Sequence, residues 1–227
     1  MPSLSRRHIL QAGLAAGTLV SAQGHAAAYG KPATLLDLAK VKPVPAKLSE
    51  ATLIIIDAQN EYRHGPLALD RMEAAIKKLA ALLERARAAQ APIIHIAQIG
   101  DPGDMFDRAG ERGRIIAEVT PKADETVIEK PLPNSFARTT LQQRLTEIGR
   151  KDLIIVGFMT HMCVSSTVRA GFDLDYRITV ASDATATRPL PAAGGGADLT
   201  AAHIQSAALA AMADYFATIV PSAAIPG

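Results

Sequence analysis

The 227-residue chain carries 24 basic and 22 acidic side chains, no tryptophan and one cysteine. A single cysteine excludes an internal disulfide framework, so stability must come from a packed core, and 48% apolar residues can supply one. Arg6 and Arg7 lie in an N-terminal segment without acidic residues; discounting them leaves 22 basic against 22 acidic, and a neutral chain poor in aromatics is a weak match for nucleic acid or anionic membrane.

Residues 1–28 read as an export address. Ser5-Arg6-Arg7-His8-Ile9-Leu10 resembles a twin-arginine signal, an uncharged Ala/Gly/Leu run follows, and Ala26-Ala27-Ala28 suits a signal peptidase. The apolar run from Ala12 to Ala22 is too short to cross a hydrocarbon layer of roughly 30 Å, which argues against a membrane anchor. The expected location is periplasmic or secreted, with no membrane association after signal removal. In such an oxidising compartment an unpaired Cys163 is either buried and inert or chemically employed.

Residues 29–50 are Pro-rich without a sustained period and read as a lead-in arm to a single domain over 51–227. "ATLIIIDAQN" is a continuous apolar run closed by Asp57, the pattern of a strand buried on both faces. Met72, Ile76, Leu79, Leu82 and Leu83 recur at helical spacing between Asp70 and Ala89. The alternation continues through strands "APIIHIAQIG", "ETVIEK", "DLIIVGF", "YRITVASDA" and "FATIV". Helices are expected from Thr140 to Ile148, Cys163 to Phe172 and Leu199 to Phe216. This grammar predicts a three-layer α/β/α sandwich, Rossmann-like, around a mostly parallel six-stranded sheet. Gly194-Gly195-Gly196 lacks a phosphate-loop ending and reads as a flexible loop or lid.

In an open parallel sheet, ligands sit beyond the carboxyl ends of the strands. Asp57 ends the first strand, Lys130 ends the third and Cys163 follows the fourth, so all three are expected at one edge. Singly, each has a bland alternative: Asp57 as a helix cap, Lys130 as a solvated side chain, Cys163 as a small core residue. Together they form an acid/base, a cation and a nucleophile. A loop delivering Cys163 to the first turn of a helix would favour its thiolate and leave backbone N–H groups for an oxyanion.

The linked motifs "LIIIDAQNEY", "IEKPLPNSF", "GFMTHMCVSST" and "SDATAT" resemble the isochorismatase-like cysteine hydrolases from about Thr52 to Val220. The resemblance implies a catalytic triad of Asp57, Lys130 and Cys163. It also implies a cis peptide joining Phe158 to Met159, and oxyanion donors at the Met159 and Cys163 N–H groups. The implied chemistry is C–N hydrolysis of a small amide, carbamoyl or ureido compound through a thioester, without a cofactor. Vinyl-ether-cleaving isochorismatases typically lack the nucleophilic cysteine. Nicotinamidases usually carry an Asp-x-His pair and a further His that bind metal; here His95 stands alone, and His64, Asp101, Asp104 and Asp107 form no recognised metal signature, so no metal is expected.

Gln59, Tyr62, Phe136 and His161 are candidates to line the substrate pocket, each with loop packing as the alternative. The expected partners are a small amide-like substrate and further copies of the chain in a homo-oligomer. Competing readings are a vinyl ether hydrolase, a nicotinamidase-like metal amidase and a non-catalytic binding protein on the same fold. No Gly-x-Ser-x-Gly elbow is present to support a serine hydrolase, and "DAQNEY" replaces the Gly-rich turn of a nucleotide binder.

Overall fold

The computed structural model describes residues 31–227, so the export segment expected over residues 1–28 lies outside the described residues. The chain divides after Lys42 into two units. In the first, helix α1 (Leu35–Leu38) starts at a capping box: Thr34 Oγ1 accepts from the Asp37 N–H while the Asp37 carboxylate accepts from the Thr34 N–H.

The second unit, from Pro43 to Gly227, holds strands β1 (Ala51–Ile56), β2 (Ile93–Gln98), β3 (Thr126–Lys130), β4 (Asp152–Phe158), β5 (Arg177–Ala186) and β6 (Thr218–Val220). Between them run α2 (Glu61–His64), α3 (Met72–Ala88), α4 (Leu141–Ile148), α5 (Ser165–Asp173) and α6 (Ala201–Ala213). All six strands are parallel in the order β3-β2-β1-β4-β5-β6, which puts β1 and β4 at the centre. Among the described residues no helix is long and apolar enough to cross a membrane.

The continuous apolar run of β1 is explained by a layer on each face. Leu53 and Ile55 pack with Leu79, Leu82 and Leu83 of α3. Ile54 and Ile56 pack with Leu141 and Leu145 of α4, Val168 of α5 and Met212 of α6. The Pro-rich stretch also adds to the core. Leu48 is 1% exposed and its N–H donates to the Pro226 carbonyl, while the Ala46 N–H donates to Thr179 Oγ1.

Gly157 fits where another residue would not. Its φ is +109°, and a Cβ there would lie 2.0 Å from the Ile56 carbonyl oxygen, so only glycine lets the end of β4 lie this close to β1. Beside it the β4–β5 register jumps, with Ile155 opposite Val180 but Gly157 opposite Thr185.

The helix expected from Cys163 starts differently. Thr160–Val164 form a π-helical turn, and α5 begins only at Ser165. Cys163 therefore sits inside a wide turn and not in the first turn of an α-helix. The Gly194–Gly196 loop is closed at its base by Leu190 and Leu199, which exchange two backbone hydrogen bonds of 3.0 and 2.8 Å.

Candidate active site

Three strand ends converge. Asp57 follows β1, with its N–H on the Ile96 carbonyl and φ of +48°, a left-handed conformation that aspartate tolerates better than most residues. Lys130 is the last residue of β3, and Cys163 lies in the turn after β4. Lys130 Nζ is 2.8 Å from Asp57 Oδ2 and donates to Cys163 Sγ at 3.4 Å. Asp57 and Lys130 are both 0% exposed and Cys163 is 3% exposed, so the ion pair and thiol form one desolvated centre.

Burial sets the protonation of this centre. It raises Asp57 above the ordinary carboxylate value, against the opposing pull of Lys130. Burial, and then the Asp57 charge, push the Cys163 thiol up to about 12 although Lys130 pulls it down. The helix N-terminus expected to stabilise a thiolate is not where Cys163 lies: it sits in a buried π turn beside a carboxylate, surroundings that favour the protonated thiol.

One member of the centre was not singled out in the sequence. Gln98, the last residue of β2, lies opposite Lys130 in the β2–β3 register, and its Oε1 accepts from Lys130 Nζ at 2.6 Å. The available signal was its position: it closes a strand just as Asp57 and Lys130 do.

The four candidate pocket residues are placed in different ways. Gln59 is fully buried, and its amide is used on both sides: Oε1 accepts from the Gln98 N–H at 2.9 Å, and Nε2 donates to the carbonyls of Gln98 and Gly113. Tyr62 is buried edge-on against Phe106 and Phe158. Burial, and then the Asp57 charge, raise its phenol well above the ordinary value. Phe136 stacks on Tyr176 and packs near Gly171 of α5. His161 is half-buried; its Nδ1 pairs with Thr187 Oγ1, while Nε2 is buried without a partner. Burial and then Arg188 lower the His161 pKa.

The Phe158–Met159 peptide is cis, and the Met159 carbonyl accepts from the N–H groups of Met162 and Val164, closing the turn that carries Cys163. Thr160 Oγ1 ties that turn to the Ala186 carbonyl at the end of β5. Elsewhere, His95 Nε2 contacts Glu125 Oε2 at 2.9 Å, and Arg87 grips the same carboxylate through Nε and Nη2. The Asp107 carboxylate braces its own loop by accepting from the N–H groups of Gly103 and Ala109. Among the described residues, no group of three or more His, Cys, Asp or Glu is arranged to hold a metal.

An all-parallel α/β/α sandwich with an ion pair and a thiol buried at the carboxyl edge of its sheet defines the class: an α/β hydrolytic enzyme with an edge site. The chain belongs to the isochorismatase family of hydrolases, the isochorismatase domain matching residues 51–224. It is similar to an isochorismatase of Pseudomonas putida KT2440 of known structure, with 45% identity and a TM-score of 0.82, covering 86% of this chain and 99% of that one. A secreted isochorismatase effector of Verticillium dahliae is 40% identical over 80% of this chain and 93% of its own length. A ureidoacrylate amidohydrolase of Stutzerimonas stutzeri is 28% identical over 65% of this chain and 74% of its own.

Proposed function

We propose that the protein is a cysteine hydrolase that cleaves the C–N bond of a small amide, carbamoyl or ureido substrate through a thioester. The observation that carries this reading is the contact of one Lys130 Nζ with both Asp57 Oδ2, at 2.8 Å, and Cys163 Sγ, at 3.4 Å. A buried thiol with its pKa near 12 does not ionise alone, so the neighbouring carboxylate takes its proton as sulfur attacks the carbonyl carbon. In this reading the C=O electron pair moves onto oxygen, where the N–H groups of Met159 and Cys163 receive the charge. Collapse of the intermediate breaks the C–N bond, and the amine leaves with the proton returned by Asp57. Water, deprotonated by the same carboxylate, then hydrolyses the thioester and frees Cys163.

The named activity of the Stutzerimonas relative, amide hydrolysis of a ureido compound, supports the substrate class. Screening the chain lacking residues 1–28 for ammonia or amine release from a panel of small amides and ureides, beside Cys163→Ala, tests it. A mass increment on Cys163 in quenched turnover supports the thioester. Hydrolysis that survives Cys163→Ala, or that occurs only with vinyl ethers, rejects it.

Export by the twin-arginine route to the periplasm or beyond is part of the same proposal. The secreted Verticillium relative supports it, and periplasmic fractionation of the Arg6→Lys, Arg7→Lys double variant tests it. Homo-oligomerisation is proposed as well. Helix α6 exposes Ala202, Ala207, Ala210 and Ala211 alongside His203 and Ser206, and light scattering decides the matter.

A further inference from the structure

A buried ammonium needs both acceptors and a counter-charge, and Lys130 has both: Nζ donates to Gln98 Oε1 at 2.6 Å and to Cys163 Sγ at 3.4 Å, and lies 2.8 Å from Asp57 Oδ2 as an ion pair. Asp57 brings charge and Cys163 brings the thiol. Gln98 brings a strong acceptor that is neutral. Its amide orientation is set by the same network, because Nε2 donates to the Ile99 carbonyl at 3.1 Å and a flipped amide would turn its NH2 toward the ammonium. The backbone of Gln98 is held in turn. Gln59 accepts from its N–H and donates to its carbonyl, each at 2.9 Å, and ties the pair to the Gly113 carbonyl at 2.8 Å.

We propose that Gln98 is a positioning residue for the hydrolytic centre: its neutral amide oxygen holds Lys130 Nζ between Asp57 and Cys163 without cancelling the positive charge on which the Cys163 thiolate depends. The proposal rests on the cysteine-hydrolase reading. Its reasoning is one of charge balance. Asp57 and Lys130 together sum to zero, and when the thiol proton passes to Asp57 the ammonium is left facing the new thiolate. A carboxylate at position 98 would satisfy the same N–H but place a second negative charge in a desolvated site, where charges are weakly screened. An apolar side chain would leave one buried N–H without its oxygen and free Nζ to move toward Asp57.

Two variants separate charge from hydrogen bonding: Gln98→Met removes the acceptor at similar length, and Gln98→Glu restores an acceptor with a charge. The readouts are the rate of Cys163 alkylation by iodoacetamide between pH 8 and 9.5, followed by mass spectrometry, and the separate changes in kcat and KM. Gln98→Met is expected to slow alkylation and kcat about tenfold, the effect of about one pKa unit, with KM within about twofold. Gln98→Glu is expected to be slower again by about tenfold despite its oxygen. Wild-type alkylation in Gln98→Met, or recovery to wild-type values in Gln98→Glu, overturns the proposal, and the Glu variant decides it alone if the Met variant fails to fold. Cys163→Ala keeps the two ideas apart: hydrolysis surviving that change rejects the cysteine-hydrolase reading, whereas alkylation reports on Gln98 without any turnover.

Discussion

Asp57 and Lys130 meet at 2.8 Å with neither side chain exposed to solvent. A pair so placed is a poor investment in stability, since desolvation of both charges opposes their attraction, yet removing one partner leaves the other buried and uncompensated. Asp57→Asn is therefore expected to lower kcat by about a thousandfold and also to destabilise the fold by about 3 kcal/mol. The double change Asp57→Asn, Lys130→Met removes both charges while keeping at 57 a side chain that tolerates the left-handed backbone, and is expected to regain most of that stability while remaining inactive. Thermal melts of the three proteins check this; a double variant less stable than Asp57→Asn would show that the pair stabilises the fold.

Cys163 reactivity gives a second expectation. With burial and Asp57 pushing the thiol up to about 12, free enzyme at neutral pH should react slowly with iodoacetamide. The rate should still be rising at about pH 10, where an ordinary thiol near ~8.5 has levelled off. A plateau below about pH 8 would mean that the thiolate is stabilised in the resting enzyme.

Acid sensitivity should follow from His95. Burial lowers its pKa in the fold against the raising effect of Glu125, and burial of Glu125 is outweighed by hydrogen bonds from Arg87, Lys122 N and His95 that hold it at about 2. The unfolded chain then binds more protons than the folded one as pH falls, so the His95 contribution is intact above about pH 6.5 and is lost on acidification through the folded-state value. Melting temperature measured from pH 8 to 5 should decline below about 6.5, and His95→Gln should flatten that part of the profile. An unchanged slope in the variant would assign the loss to another group.

Gly157→Ala tests the close approach of β4 to β1. The new Cβ meets the Ile56 carbonyl at 2.0 Å in a backbone with φ of +109°, and neither strand can retreat because both lie at the sheet centre. A loss of about 3 kcal/mol or more is expected, roughly 10 °C in melting temperature for a chain of this size. Gly194→Ala, with nothing within 4 Å of its Cβ, is the control and should melt like the parent.

Burial on both faces made the sheet legible in the sequence. A parallel strand covered by helices reads as a largely apolar run, so β1, β2 and β4 stand out as "LIII", "IIHIA" and "LIIVGF", and Asp57 and Gln98, the polar residues that end the first two, mark the carboxyl edge. That local signal placed Asp57 at a strand end and Cys163 just past one, while Lys130 ends β3, an edge strand whose short "TVIEK" is marked by its β-branched residues and not by an apolar run. The mutual distances in that centre, and the part played by Gln98, needed the register of β2 against β3, which pairs residues 32 positions apart and leaves no local mark. The thiol's protonation was likewise hidden. A sequence shows a loop entering a helix and suggests a stabilised anion, whereas desolvation and the nearby Asp57 charge come from chain segments far from Cys163, and it is the tertiary packing of those segments that turned the expectation round.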